Sequence, residues 1–381
     1  MKRRILALAV MCVLGGVSWV TSATLAAPPV KPLTLAVFGD WPYSTSLKEN
    51  AALLYDSVNN DPDVGLVIHV GDIHSGSMPC TGAGLSPVPS AAAPTYNQDI
   101  FKIFQKFTDP LVYTPGDNEW TDCHKTKEGT SGYPLNELAA VRQLFFPAPG
   151  FTIGGVQKEL SSQTREFDKE YPADQQFVEN VMWTQSNVLF VTLNVPGSNN
   201  DGLPWSGGTG SPFLNESARQ HEVTQRNGAN LRWLTHAFKN AQARKAAAVV
   251  IAVQADMWDL AALVPGGDGL NNYDEFVRAL GELVVTFGKP VLLLNGDSHL
   301  YQEDRPLDPT DRTGCVDTTT TTGCTGGVVL SAIHGTQAVP NLTRITVQGS
   351  TNVPNEWLKL TIDPSSSTVF TWQNVCYSSC S

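Results

Sequence analysis

Four times in this chain a short apolar run rich in strand-forming residues stops at the dipeptide Gly-Asp. Leu33 to Phe38 runs into Gly39-Asp40, Leu66 to Val70 into Gly71-Asp72, Pro110 to Pro115 into Gly116-Asp117, and Val291 to Asn295 into Gly296-Asp297. Runs of this length read as buried strands. In an open α/β sheet the carboxyl ends of the strands share one edge, where ligands bind, so four such corners bring four carboxylates into one crevice. Mutual repulsion forbids that cluster unless cations sit within it, so the corners read as a metal site, binuclear, with Asp72 at its centre. A single Gly-Asp is often a plain turn, which is how Gly267-Asp268 reads, since it follows no strand.

The amino terminus stands outside this pattern. Lys2, Arg3 and Arg4 precede an apolar run from Ile5 to about Val20 and then the small residues Ser22 to Ala27, the sequence of a signal peptide cleaved after Ala26. The run is short for a membrane span, and no later stretch is long and apolar enough to be one. The expected organisation is therefore a signal peptide, 1–26, and a single domain, 27–381, secreted or periplasmic and without a membrane attachment. Loss of the three basic residues takes the formal charge from -11 to -14, which argues against nucleic acid as a partner. Cys12 leaves with the signal, and six cysteines remain for an oxidising compartment. Proximity suggests Cys315 with Cys324 and Cys376 with Cys380, leaving Cys80 for Cys123, one of 15 possible connectivities.

Along the chain, Leu33–Phe38, the helical Ser46–Asn59 and Val64–Val70 form a β-α-β unit. A Gly, Pro and Ser-rich loop from Ser75 to Pro94 follows, then a helix at Asp99–Phe107 and a strand at Leu111–Thr114. Residues 123–185 show little periodicity apart from a helix near Leu135–Phe146 and read as an inserted excursion covering the site. Strands are expected at Asn187–Leu193, Ala247–Val253 and Val291–Leu294, with helices at Glu216–Ala243 and Tyr273–Phe287. Short strands close the chain at Val328–Ile333, Leu342–Val347, Trp357–Ile362 and Val369–Trp372.

The order of the corners resembles the calcineurin-like metallophosphoesterases, whose relatives include the purple acid phosphatases. Their pattern is an Asp motif after the first strand, GD after the second, GNH(D/E) after the third, a lone His after a later strand, and GHxH near the end. This chain offers Gly39-Asp40, Gly71-Asp72, Gly116-Asp117-Asn118-Glu119, Gln254 and Gly296-Asp297-Ser298-His299, so the resemblance spans about residues 33 to 300. It implies a four-layer α-β-β-α sandwich, two mixed sheets flanked by helices, with the late strands completing the second sheet. It also implies that Asp40, Asp72 and His299 hold a first metal, and that Asp72, Asp117, Gln254 and Asp297 hold a second.

Five substitutions accompany the resemblance: Pro42, Asp117, Asn118, Gln254 and Asp297 each stand where the family pattern has another residue. Oxygen ligands in place of imidazole favour Mg²⁺, Mn²⁺ or Ca²⁺ over Zn²⁺ or iron. Tyr43 has the GDxxY spacing of the purple acid phosphatase tyrosine but follows the first corner instead of the second, and His74 is placed to replace the missing first histidine. Asp256 competes with Gln254. The implied activity is hydrolysis of a phosphate ester, monoester or diester and small or polymeric, by metal-activated water. Asn118 cannot titrate, so leaving-group protonation falls to His74, His124 or His334.

Two other classes fit parts of the sequence. One is a secreted cation-binding protein that keeps the fold and has lost catalysis with its histidines. The other is a GDS-type serine esterase with Ser298 as nucleophile, whose motif order is wrong here. His69, inside a strand, reads as a core histidine, and Trp120 and Trp205 as packing aromatics.

Overall fold

The computed structural model describes residues 30–80, 95–127, 132–206, 215–311 and 330–380. The proposed signal peptide and the Cys315–Cys324 pair lie outside them. Thirteen strands are present among the described residues: β1 (Leu33–Phe38), β2 (Val64–His69), β3 (Pro110–Tyr113), β4 (Ile153–Gly154), β5 (Ser161–Ser162), β6 (Val181–Gln185), β7 (Val188–Thr192), β8 (Ala248–Ala252), β9 (Val291–Asn295), β10 (Gln302–Asp304), β11 (Leu342–Thr346), β12 (Asn355–Ile362) and β13 (Phe370–Ser378). They form two mixed sheets, ordered β13-β12-β1-β2-β3-β4 and β10-β11-β9-β8-β7-β6-β5. Within each, the central strands β1-β2-β3 and β7-β8-β9-β11 run parallel, so their carboxyl ends point the same way.

Alternation along the strands sorts the side chains into three cores. Leu35, Val37 and Ile68 of the first sheet meet Phe190, Val250 and Leu292 of the second, so the two sheets pack face to face. The other faces take helices. Ala36, Phe38 and Val67 pack with Leu54, Val58, Ile100, Phe104, Val141 and Phe145, while Leu189, Ile251 and Leu293 pack with Trp233, Leu234, Phe238, Val277 and Leu280. Strands covered on both faces are mostly apolar, which is why β1, interrupted only by Thr34, and β9 up to Asn295 read as apolar runs.

Several expectations need correction. The helix predicted over Ser46–Asn59 is two, Thr45–Glu49 and Ala52–Asn59, with Asn50 ending the first by bonding its side chain back to Ser46 O (2.9 Å). The excursion at 123–185 supplies more than a cover: beside the helix Pro134–Phe145 it adds β4 to one sheet edge and β5 and β6 to the other. These strands are too short or too half-exposed to give a periodic signal. No strand spans Leu330–Ile333; a 3-10 turn at Leu330–Ala332 leads to His334, which is pinned between Asp274 and the Met257 carbonyl. The late strands also divide between the sheets. β11 joins β9, whereas β12 and β13 run antiparallel beside β1, because Leu358, Leu360 and Ile362 face the inter-sheet core. Disulfides join Cys80 to Cys123 and Cys376 to Cys380. Among the described residues no helix is long and apolar enough to cross a membrane.

Candidate metal centre

Three of the four parallel strands that end in a Gly-Asp corner, β1, β2 and β9, turn sharply at the aspartate. Asp40, Asp72 and Asp297 adopt left-handed backbone (φ 48, 61 and 77°), as does His299 (φ 63°). Asp tolerates that region better than most residues, and it turns the carboxylate off the strand end. The turns are locked to one another: Asp40 N donates to Gly71 O (2.9 Å), Trp41 N to Asp72 O (2.9 Å), and Asp297 N to both carboxylate oxygens of Asp40 (3.1 Å each). Since Asp40 follows β1 and Asp297 follows β9, the site straddles the seam between the sheets.

Asp40, Asp72 and His299 each bring one ligand atom within 4.8 Å of the others. The Tyr43 hydroxyl lies among them, donating to Asp72 Oδ2 (2.7 Å) and standing 3.3 Å from Asp40 Oδ1 and 3.2 Å from His299 Nε2. Asn118 donates through Nδ2 to Asp72 Oδ2 (2.8 Å) and to the Tyr43 oxygen (2.9 Å), and through its backbone amide to Asp72 Oδ1 (3.2 Å). Beside this group, a methyl placed on Gly197 would sit 2.5 Å from Asp297 Oδ1 and 2.8 Å from Asp117 Oδ2, so these two carboxylates flank one point. Gln254 turns its oxygen to the Gly197 amide and its NH2 to Asp117 Oδ1 (3.1 Å), touching a carboxylate instead of offering an oxygen of its own.

The carboxylates of this cluster repel one another. Burial, then the charges of Asp117, Glu119 and Asp40, hold the Asp72 carboxyl well above the usual carboxylate range. Burial, then Asp117 and Asp40, do the same to Asp297, and burial and Asp122 push Asp117 up to about 7. Burial alone would lower His299, but its bond to Asp40 and the surrounding carboxylates raise it instead. The donor set of several carboxylate oxygens, a phenol and one imidazole suits hard divalent cations.

Asp117 also fixes a pH dependence. In metal-free protein its carboxyl keeps a proton between pH 3.8 and about 7 that the unfolded chain has already released. The folded state then binds more protons, so stability falls as pH rises through that window and levels off above it. The melting temperature of chelator-treated protein is expected to drop between about pH 5 and about pH 7.5 and to be restored there by Mn²⁺. A melting temperature rising steadily over that range without metal would contradict it.

The remaining sequence candidates lie elsewhere. His74 is buried, faces the Ser75 carbonyl through Nδ1 (3.1 Å) and packs edge-on to Tyr96; burial lowers it to about 4. It does not join the ligand group, and the phenol of Tyr43 stands there instead. Asp256 pairs with Arg344 and accepts from Ser298 Oγ (2.9 Å), while its amide holds Asp297 Oδ2 (3.0 Å). Ser298 thus faces a carboxylate, and among the described residues no histidine bonds its hydroxyl. His69 is packed between Phe38, Phe104 and Tyr113. Trp120 is buried under Arg226, and Trp205 is buried with its Nε1 on Asp201.

Sequence reasoning missed the wall opposite. Ser198, Asn199, Asn200 and Asp201 all have φ between 50 and 59°, a left-handed turn held by Arg226 on Asn200 and Arg219 on the Asp201 carbonyl. It brings Ser198 Oγ to Asp117 Oδ2 (3.0 Å) and Asp122 Oδ1 (2.7 Å). The one signal was composition, since Asn and Asp enter this backbone region most readily. Glu119, which the sequence offered only as the last residue of the third corner's motif, has one oxygen that accepts from Tyr113 OH (2.6 Å), Gly116 N (2.8 Å) and Asp72 N (3.1 Å), tying the second and third corners together. Because a Cβ at Gly197 would press on both Asp117 and Asp297, Gly197→Ala is expected to weaken binding of a second Mn²⁺ by about tenfold or more, roughly 1.4 kcal/mol. Calorimetric titration that returns wild-type stoichiometry and affinity would refute this.

No family model and no curated protein matches the chain. Among solved structures, a chain described as GAP50, the anchor in the inner membrane complex of Plasmodium, is similar at 10% identity and a TM-score of 0.36, covering 91% of this chain and 89% of that one. A likeness of that size carries no argument about function.

Proposed function

We propose that this chain is a secreted or periplasmic metal-dependent phosphoester hydrolase, built on the metallophosphoesterase type of α-β-β-α sandwich. The observation supporting it most is the convergence of four Gly-Asp corners from two sheets on one buried, self-repelling carboxylate cluster. Asp40, Asp72, Tyr43 and His299 would hold one divalent ion, and Asp72, Asp117 and Asp297 a second, with Gln254 orienting Asp117. Mg²⁺, Mn²⁺ or Ca²⁺ suits this set better than Zn²⁺ or iron. When bound, such ions supply Lewis acidity to the phosphoryl group and acidify water.

The chain's own residues do the rest. Asn118 spends its two Nδ2 hydrogens on Asp72 Oδ2 and the Tyr43 oxygen, so it would hold those two ligands in place. Glu119 and the locked turns keep the carboxylates preorganised, so no reorganisation is needed as charge builds on phosphorus. Thr351 Oγ1, 3.2 Å from Nδ1, would hold the His299 ring so that Nε2 faces the carboxylates.

Purified mature protein supplied in turn with Mg²⁺, Mn²⁺, Ca²⁺, Zn²⁺ and iron should turn over an aryl phosphate monoester or diester with at least one of them. Asn118, in a position the resemblance gives to a histidine, favours a second reading, a cation-binding protein without catalysis. A large thermal shift with Ca²⁺ and no turnover on any ester with any ion would decide for that reading.

A further inference from the structure

A phosphoester is an anion, and the pocket it would enter is strongly acidic. A cavity of about 310 Å³ opens beside Asp117 and Asp297, and Asp256, Asp259 and Asp268 also line it. Arg344 pairs directly with Asp256 and acts on Asp259 from further away. Two divalent ions would balance the four corner carboxylates and leave Asp259 and Asp268 to repel the substrate. Position 118, where a charged ring would help, holds an amide.

Lys125 brings a partly exposed cation to the Ser198 side of this cavity, while Lys127 nearby is buried. The Lys125 side chain is 41% exposed, and its ammonium donates to Asp122 Oδ2 (2.7 Å) and Ser198 Oγ (3.1 Å). Ser198 in turn donates to Asp117 Oδ2 (3.0 Å), so the ammonium is one hydroxyl away from a corner carboxylate. Its position is fixed from two sides: the Cys80–Cys123 bridge anchors the chain two residues before it, and the left-handed turn anchors Ser198. Asp122 and Ser198 use two of the three N–H groups that an ammonium carries.

We propose that Lys125 is the phosphate-contacting cation of this site, its ammonium donating to a non-bridging oxygen of the phosphoester, or of orthophosphate, bound beside Asp117. This rests on the phosphoesterase reading above. The alternative role is structural, neutralising the buried Asp122 and nothing more.

The test uses the Mn²⁺-loaded mature protein and its Lys125→Ala and Lys125→Arg variants. Orthophosphate binding is measured by calorimetry, KM and kcat with an aryl phosphate, and Mn²⁺ content and melting temperature alongside. Removing one charge-assisted hydrogen bond should weaken orthophosphate binding and raise KM by about tenfold to a hundredfold in Lys125→Ala, with kcat changing far less. Lys125→Arg should recover most of that loss. If Lys125→Ala binds orthophosphate like the wild type, or loses affinity only in step with Mn²⁺ content or melting temperature, the proposal is overturned while wild-type turnover keeps the phosphoesterase reading. Wild-type protein that takes up Mn²⁺ yet neither binds orthophosphate nor hydrolyses any ester overturns both.

Discussion

Asp72→Asn is expected to strip the protein of bound divalent metal and to lower phosphoester turnover by about a thousandfold or more, some 4 kcal/mol of barrier. The substitution keeps the shape of the side chain and removes its charge. It also replaces one acceptor oxygen by an NH2 group where Tyr43 OH and Asn118 Nδ2 both donate. Because the metal-free carboxylates repel one another, the same change should raise the melting temperature of chelator-treated protein at neutral pH. Metal analysis, turnover and thermal melts on one preparation check all three. Unchanged metal content would remove Asp72 from the centre of the site.

The largest loss of stability is expected on the other side of Asp297. Arg344 is buried between Asp304, which accepts from Nε at 3.0 Å, and Asp256, and its guanidinium stacks over Trp258. Arg344→Met fills similar space but leaves two buried carboxylates without a cation, which costs about 3–5 kcal/mol. Equilibrium denaturation should show that loss. It should also weaken metal binding, since Asp256 holds Ser298 by its carboxylate and Asp297 by its amide. The double variant Arg344→Met with Asp304→Asn should recover part of the stability by removing one of the stranded charges. A loss below about 1 kcal/mol in Arg344→Met would mean that water reaches the pair and screens it.

Strand existence and the site's carboxylates were legible because both depend on local pattern. A strand covered on both faces is mostly apolar, and a chain leaving it tightly favours Gly and Asp, so β1, β2, β3 and β9 and their corners could be read directly. β10 could not: Gln302, Glu303 and Asp304 are polar, and their pairing depends on Arg344 from β11 meeting Asp304. Tyr43 was visible by spacing alone, since nothing local tells whether a phenol three residues past Asp40 folds back onto a carboxylate from another strand. Lys125 and Ser198 were invisible, because 73 residues separate them and only the left-handed turn and the Cys80–Cys123 bridge bring them together.

By itself the sequence determined that strands end in acids, because burial and turn geometry act over a few residues and leave their mark in the order of residue types. Tertiary structure alone decided which acids share a point. It set Gln254 and Asp256 in supporting positions, left His74 aside and put Tyr43 in the middle. Those outcomes depend on how two sheets meet at one seam, where residues far apart in the chain come into contact.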